Sequence, residues 1–364
     1  MFNFITNLFK FGRSRRFLGV DIGTVGVRIV ELSKRGSYYK LENYGGIETS
    51  SINENPFRRV FKNNTIALSD KQIAKAIQLI CNEAGMEFRQ ASFAIPDFCS
   101  FFTSFNLPMM TTEEIPQAVQ YEARPYIPLP LAEVVLDWTV IEGEPGKTPL
   151  KVLVVAIPKD TISQYQGIAK LAGLELKTLE SEVFALARSL NLNQTNNRDK
   201  KIIALIDIGA RSSTCSIIEK GTVRTSYSFN IAGNELTEVI TNSLNIDYKK
   251  AEEKKKEYGL KPDNGNNIRE ILIPLVDSIL VEIKNVLRNF YLEEGKEVEA
   301  FFLSGGQALA PGLKEYFSDS LKKPVFLVNP FSGLIYSESL KEELEKIGPL
   351  YAISVGLAMK GLED

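Results

Sequence analysis

Residues 17–32 read FLGVDIGTVGVRIVEL, two apolar stretches separated by a carboxylate and two glycines. The first stretch ends at Asp21, and the second begins directly after Gly26. Short apolar runs rich in β-branched residues predict two strands joined by a turn. Glycine lets the backbone N–H groups of such a turn approach a phosphate closely, and a carboxylate beside them suits a hydrated Mg²⁺. The stretch therefore predicts a phosphate-binding hairpin, with an ordinary hairpin as the plain alternative.

The same pattern occurs a second time in IIALIDIGARSSTCSIIEKG, residues 202–221. An apolar strand again ends in a carboxylate, Asp207, and Gly209 follows two residues later. One copy alone would favour an ordinary hairpin, whereas two copies, each directly after an apolar strand, favour phosphate binding. The two copies predict a duplicated architecture, whose halves are joined by the polar segment 191–200.

The length of 364 residues suggests two or three domains, or one large bilobal unit. The composition, 44% hydrophobic and 24% charged, is that of a globular protein. A net charge of -2 argues against broad electrostatic binding to nucleic acid. The chain has no histidine and only three cysteines without paired spacing. This excludes histidine-based triads and His-ligated metals, argues against a disulfide framework, and fits a reducing compartment.

The N-terminal segment 1–16, MFNFITNLFKFGRSRR, combines apolar residues at helical spacing with three arginines. It is not a signal peptide, because the apolar part precedes the basic part and no cleavage site follows. Two interpretations fit this amphipathic segment. It is either a helix in weak contact with an anionic membrane or a partner, or a short segment docked on its own domain or a tail.

Three further segments fit a nucleotide-binding fold. Residues 299–317 predict a strand, then the glycine pair Gly305 and Gly306 on which a flat ligand can lie, and then a helix. Residues 179–190 predict a helix with Glu182 near its start. Residues 351–362 predict a helix of small residues, in which Gly356 is either a hinge point or a packing notch.

The stretch 92–182 predicts a compact two-layer α/β unit. It contains a helix over 112–124 with Thr112 as N-cap, a hairpin of strands 134–142 and 151–158, and a second helix over 161–172. The proline-rich piece RPYIPLPLAEV is either a recognition edge or a rigid connection.

These segments, in this order, resemble the ATPase superfamily of actin, heat-shock chaperones and sugar kinases. Residues 17–362 are similar to the PilM family of type IV pilus assembly, itself related to the division protein FtsA. Among the stretches that carry this likeness are FNIAGNELTEV, 229–239, and PVFLVNPFSGLIY, 324–336. The resemblance implies an α/β fold, namely a bilobal actin-like ATPase of duplicated ribonuclease-H-like lobes with an inserted small α+β subdomain of the PilM/FtsA type. It implies a first lobe of 17–91 and 183–200, an inserted subdomain of 92–182, and a second lobe of 201–362 whose smaller subdomain is 234–298.

The resemblance also implies sites for ATP and Mg²⁺. The first phosphate loop matches Asp21, Gly23 and Thr24, and the second matches Asp207 and Gly209. Asp21 and Asp207 would hold Mg²⁺ through water, and Glu182, with Asp207 the candidate catalytic pair, would position water near the γ-phosphate. The remaining implied nucleotide contacts are Gly233, Asn234, Glu252, Lys255, Gly305 and Gly306. Without the resemblance, the helix that carries Glu252 and Lys255 would be interpreted as a solvated, charged face.

Two departures from the family pattern concern the phosphate loops. The first loop has Val25-Gly26-Val27 where many relatives have serines, and Arg211 stands in the second loop where a small residue is usual. Nucleotide binding is therefore implied more strongly than hydrolysis. A base and a metal carboxylate do not by themselves fix the rate, since phosphoryl transfer depends mainly on how the reacting groups are positioned, and we expect hydrolysis to be slow at most.

The function implied by the resemblance is a cytoplasmic, ATP-binding scaffold at the inner face of the bacterial plasma membrane. Its implied partner is the N-terminal peptide of a PilN-like inner-membrane protein, bound in a nucleotide-dependent way, with pilus motor or platform proteins as further candidates. The alternatives are an FtsA-like filament-forming or membrane-tethering division protein and, least favoured, a metabolic kinase. The sequence leaves homo-oligomerisation open, and also whether the system is a pilus, a secretion machine or a DNA-uptake machine.

Overall fold

The computed structural model describes residues 15–48, 68–191, 201–262 and 267–363. Nearly all of the N-terminal segment 1–16 and of the linking segment 191–200 lies outside the described residues. Within those four ranges, no helix combines the length and apolar character needed to cross a membrane.

The first sheet has five strands in the order β3-β2-β1-β4-β8. Its strands are β1 (Arg16–Gly23), β2 (Gly26–Arg35), β3 (Tyr38–Glu48), β4 (Gln90–Ile95) and β8 (Glu175–Ser181). The two stretches of the opening motif form the antiparallel pair β1 and β2, in which Asp21 lies opposite Arg28. On the other side, β4 runs parallel to β1, and β8 runs parallel to β4.

The second sheet repeats this plan. Its strands are β9 (Ile202–Ile208), β10 (Ser213–Glu219), β11 (Thr222–Phe229), β12 (Ala300–Ser304) and β13 (Val325–Leu327), in the order β11-β10-β9-β12-β13. Again an antiparallel hairpin follows the carboxylate, and two parallel strands complete the sheet. The two sheets correspond strand for strand, as the two copies of the sequence pattern predict.

The third sheet belongs to the stretch 92–182. It contains β5 (Phe101–Leu107), β6 (Val134–Glu142) and β7 (Leu150–Pro158), in the order β5-β7-β6. The predicted hairpin of β6 and β7 is antiparallel, as expected. The helix α3 (Lys159–Ala172) follows it directly and begins two residues before the predicted start.

The predicted helix over 112–124 is shorter than expected and is capped differently. The observed helix α2 (Ile115–Glu122) begins at Ile115, so Thr112 is not its N-cap. Pro116 occupies the first turn, where its fixed φ is tolerated and no N–H is needed. The Glu114 carboxylate accepts a hydrogen bond from the Thr111 N–H (2.7 Å) and so closes the turn before the helix.

The remaining helices cover the sheets and connect them. They are α1 (Asp70–Glu83), α4 (Glu182–Asn191), α5 (Gly233–Leu244), α6 (Tyr248–Tyr258), α7 (Ile268–Glu294), α8 (Leu313–Leu321) and α9 (Lys341–Glu363). The predicted helix over 179–190 begins only at Glu182, because the residues before it complete β8. The helix predicted over 351–362 lies within α9, which extends ten residues further towards the N-terminus.

Helix α9 packs against α4 and β1 through glycines. A Cβ at Gly356 would lie 1.8 Å from the carbonyl oxygen of Ala185 in α4. A Cβ at Gly19 in β1 would lie 1.9 Å from the carbonyl oxygen of Ser354. Both glycines therefore allow a backbone-to-backbone approach, and Gly356 is a packing notch where the two helices cross.

An ionic network attaches the third sheet to the second. Arg224 of β11 is only 6% exposed in its side chain and pairs with Glu142 of β6 (2.7 Å) and with Glu294 at the end of α7 (3.3 Å). Lys151 of β7 also pairs with Glu294. Buried charges of this kind depend on one another, because removing one leaves its partners uncompensated.

Candidate functional site

A cleft lies between the turns that follow β1 and β9. Its volume, counted together with the open solvent at its mouth, is about 860 Å³. The residues that line it include Gly23 and Thr24 of the first turn, Gly209 of the second, and the glycine pair after β12. The structure thus brings the two predicted phosphate loops face to face across one space.

The two loop carboxylates point into this cleft. Asp21 is 4% exposed, and Asp207 is partly buried. Oδ1 of each makes no hydrogen bond to any described residue. Burial raises the pKa of Asp21 to about 6, with Arg28 opposing this rise and Asp207 adding to it. Burial likewise raises the pKa of Asp207, against a hydrogen bond with Ser304 and the Arg28 charge.

These carboxylates fit a hydrated cation. Two unpartnered carboxylate oxygens at a buried site attract positive charge, and Mg²⁺ prefers such ligands while keeping several waters. No group of three acidic or cysteine side chains within the described ranges is arranged to hold a metal directly. That Asp21 and Asp207 hold Mg²⁺ through water stays a prediction.

The second loop is held in shape by the start of α5. The Gly209 N–H donates to the Ser212 carbonyl (3.0 Å), which closes a tight turn. The N–H groups of Gly233 and Asn234 donate to the carbonyls of Gly209 (3.0 Å) and Ala210 (2.7 Å). Gly233 and Asn234 do not line the cleft, and their backbone supports the loop from behind.

The glycine pair after β12 lies on the other side of Asp207. Gly305 has a φ of +84°, and a Cβ there would lie 2.4 Å from the Ile208 carbonyl oxygen. Its N–H donates to the Pro349 carbonyl (3.1 Å) at the α9 side of the cleft. Gly305 and Gly306 both line the cleft and present backbone rather than side chains.

Glu182 lies at the start of α4 and lines the cleft. Its Oε2 accepts the Asp97 N–H (3.0 Å), while Asp97 Oδ1 accepts the Val183 N–H (3.2 Å). Burial and the charge of Asp97 raise the pKa of Glu182 well above its usual value. Burial also raises the pKa of Asp97 to about 7, and a hydrogen bond from Thr214 opposes the rise. These contacts hold Glu182 at the cleft wall, and its role in orienting a water stays a prediction.

Glu252 and Lys255 lie behind the second loop and not on the cleft wall. Lys255 is 2% exposed, and its Nζ donates to the Gly233 carbonyl (2.8 Å) and to the Thr237 hydroxyl (2.6 Å). The same ammonium pairs with Glu252 (2.7 Å). In this structure the pair stabilises the first turn of α5, and the ribose and base contact implied by the resemblance stays a prediction.

Two site residues escaped the reasoning from sequence. Arg28 lies opposite Asp21 because the hairpin pairs Gly23 with Gly26, so counting outward from the turn would have found it. Asp97 follows β4, which runs parallel to β1 and ends at the same edge of the sheet. The signal was its place directly after an apolar strand, the same signal that identified Asp21.

Comparison with known proteins agrees with this architecture. The family model for the type IV pilus assembly protein PilM matches residues 19–362. The cell division protein FtsA of Pseudomonas aeruginosa is 22% identical over 391 aligned positions, which cover 96% of this chain and 90% of FtsA.

Solved structures share the same fold. The PilM-PilN type IV pilus biogenesis complex superposes with a TM-score of 0.83 and 25% identity, covering 95% of this chain and 98% of that chain. EutJ of Carboxydothermus hydrogenoformans reaches a TM-score of 0.57 at 19% identity, covering 95% and 89%. MreB5 of Spiroplasma citri bound to AMPPNP reaches 0.54 at 15% identity, covering 96% and 97%. This chain has the actin-like ATPase fold and belongs to the family of the type IV pilus assembly protein PilM.

Proposed function

We propose that this protein is an ATP-binding scaffold of the type IV pilus inner-membrane platform. The nucleotide that it binds controls its affinity for a PilN-like membrane protein. The observation that carries the proposal is the pair of unpartnered carboxylate oxygens, on Asp21 and Asp207, facing one cleft between two glycine-containing turns. A solved relative with the same fold is bound to AMPPNP, and another is in complex with PilN.

Each wall of the cleft has its own task in this proposal. The glycine pair at 305–306 offers a flat surface for the adenosine, and the turns at 23–24 and 210–212 offer backbone N–H groups to the phosphates. Arg28 adds a fixed positive charge beside them. Asp21 and Asp207 would hold Mg²⁺ through water, and the ion would supply positive charge that offsets the charge of the phosphates. Glu182, held by Asp97, orients a water, which supports slow hydrolysis at most.

The proposed partner is the N-terminal peptide of a PilN-like inner-membrane protein, bound beside the subdomain at 92–182. This subdomain has direct contacts that can carry a signal from the cleft. Near its start, Asp97 hydrogen-bonds Glu182, the residue at its end that lines the cleft, and its third sheet is ion-paired to β11 through Arg224. We place the protein in the cytoplasm at the inner face of the membrane, where such a tail is accessible, with motor and platform proteins as further candidate partners.

Calorimetric titration of a synthetic PilN-type N-terminal peptide, with and without Mg·ATP, tests the proposal. We expect a stoichiometric complex whose affinity changes with nucleotide. An equal peptide affinity with and without Mg·ATP would contradict control by nucleotide. No peptide binding in either state would contradict the proposed partner. In the latter case concentration-dependent light scattering with Mg·ATP would show whether the chain instead assembles filaments as FtsA-like proteins do.

A further inference from the structure

A contact between an arginine and an aromatic ring crosses the cleft. Arg211 lies in the second loop, and its guanidinium carbon is 4.2 Å from the centroid of the Phe98 ring. Phe98 belongs to the short turn after β4, in the first sheet, and both residues line the cleft. The attraction between a guanidinium and a ring face therefore joins the two halves of the molecule at this point.

Arg211 lies at the opposite side of Asp207 from the glycine pair. In the second sheet Asp207 is the next-to-last residue of β9, β12 lies on one side of β9 and β10 on the other. The glycine pair follows β12, whereas Arg211 lies two residues before the start of β10. A nucleotide with its base on the glycines would run its phosphates past Asp207 and end them near Arg211.

A phosphate is a stronger partner for this arginine than a ring is. Guanidinium groups bind phosphate oxygens through two parallel charge-assisted hydrogen bonds, which exceed a cation–π contact in strength. Arg211 is half-buried where it lines the cleft, so its guanidinium is partly desolvated. Arg28 also lines the cleft, but it lies opposite Asp21 on the first hairpin and therefore on the wall across from the second loop.

We infer that Arg211 leaves the Phe98 ring and binds the last phosphate of ATP. Because ADP lacks this phosphate, the cleft prefers ATP to ADP. This inference rests on the proposed function, because it assumes that the cleft binds a nucleotide. Arg211 of the second loop is then the residue that distinguishes ATP from ADP. The exchange also breaks the Arg211–Phe98 contact between the two halves of the molecule. The nucleotide state thereby changes how the two halves are held together.

The test is calorimetric titration of Mg·ATP and of Mg·ADP into the unsubstituted protein and into Arg211→Gln. We expect Arg211→Gln to weaken ATP binding about tenfold or more while ADP binding changes little, because a charge-assisted pair is lost only with ATP. Arg211→Lys keeps the charge and should retain part of the preference. Phe98→Leu removes the competing ring and should strengthen ATP binding about two- to fivefold.

The matched control is Arg124→Gln. Arg124 is exposed and also lies over a ring, that of Tyr121 (6.0 Å), but away from the cleft. The Arg124→Gln variant should bind Mg·ATP and Mg·ADP with unchanged affinity. Equal losses of ATP and ADP in Arg211→Gln, or no loss, would overturn the inference while the proposed function stands. An unchanged or smaller ATP preference in Phe98→Leu would also overturn it. Binding of neither nucleotide by the unsubstituted protein would overturn both.

Discussion

Gly356 and Ala185 meet backbone to backbone where α9 crosses α4. A Cβ on Gly356 would lie 1.8 Å from the Ala185 carbonyl oxygen and 2.5 Å from its carbonyl carbon. Arg188 fixes the crossing from the side, since its guanidinium donates to the Gly356 carbonyl (3.1 Å) and to both carboxylate oxygens of Glu180 (2.5 and 3.0 Å). Because α4 begins at Glu182, the crossing sets the position of a cleft residue.

Gly356→Ala should destabilise the protein. An added methyl at this crossing has no space, so the helices must separate at a cost of about 1–3 kcal/mol, despite the better helix propensity of alanine. The free energy of unfolding from urea titration measures the effect. Gly167→Ala in α3 is the control, because nothing lies within 4 Å of its added Cβ. It should gain about 0.5–1 kcal/mol, and a neutral Gly356→Ala would show that the crossing is not tight in solution.

The parts of the fold that were predictable from sequence are those encoded locally. The two loops follow from an apolar strand, a carboxylate and a glycine in succession, and both strand pairs formed as expected. The start of α2 was not predictable from its cap residues, because Pro116 and the turn at Glu114 decide it together. The start of α4 was displaced by pairing of 179–181 with β4, a contact that no local pattern shows.

The same limit applies to the site. Lys255 lies in a run of charged residues, and its burial follows from the packing of α6 on α5, which the sequence does not display. Asp97 could have been found as a strand-end carboxylate, but its contact with Glu182 depends on two distant segments meeting.

Lys255→Met should lower stability strongly. It removes a buried ammonium that serves the Gly233 carbonyl and the Thr237 hydroxyl and pairs with Glu252, so a carboxylate is left without its main partner. We expect a loss of about 2–3 kcal/mol in chemical denaturation. Lys256→Met, on the same helix, removes only the long ion pairs of an exposed ammonium (3.8 and 3.9 Å) and should cost less than about 0.5 kcal/mol. Equal stability of the two variants would contradict the support role.

Stability without nucleotide should fall as pH rises through the range in which Asp97 ionises. Burial raises the pKa of Asp97 from 3.8 to about 7, so the folded state keeps a proton that the unfolded chain has released. Its contribution is fully present below about pH 4, is lost between about pH 4 and pH 7, and is constant above that. The raised pKa of Asp21, about 6, adds a decline of the same sign.

Asp97→Asn should therefore flatten part of this decline. The amide oxygen can still accept the Val183 N–H, but the side chain cannot ionise. Thermal midpoints measured from about pH 5 to pH 8 should show the variant gaining on the unsubstituted protein as pH rises. The exposed Asp160→Asn serves as control and should follow the unsubstituted curve. Parallel curves for Asp97→Asn would show that this carboxyl does not hold the proton.

Asp207→Ala should weaken binding of Mg·ATP much more than binding of metal-free ATP. The unpartnered Oδ1 of Asp207 faces the cleft and fits a hydrated cation, while the backbone turns that meet the phosphates stay in place. A group that acts on a metal through water is worth about 10- to 100-fold in affinity. Titrations with Mg²⁺ and with a chelator separate the two forms, and the exposed Asp319→Ala is the control. Equal losses in both forms would sink the metal role of Asp207 and leave it a structural carboxylate.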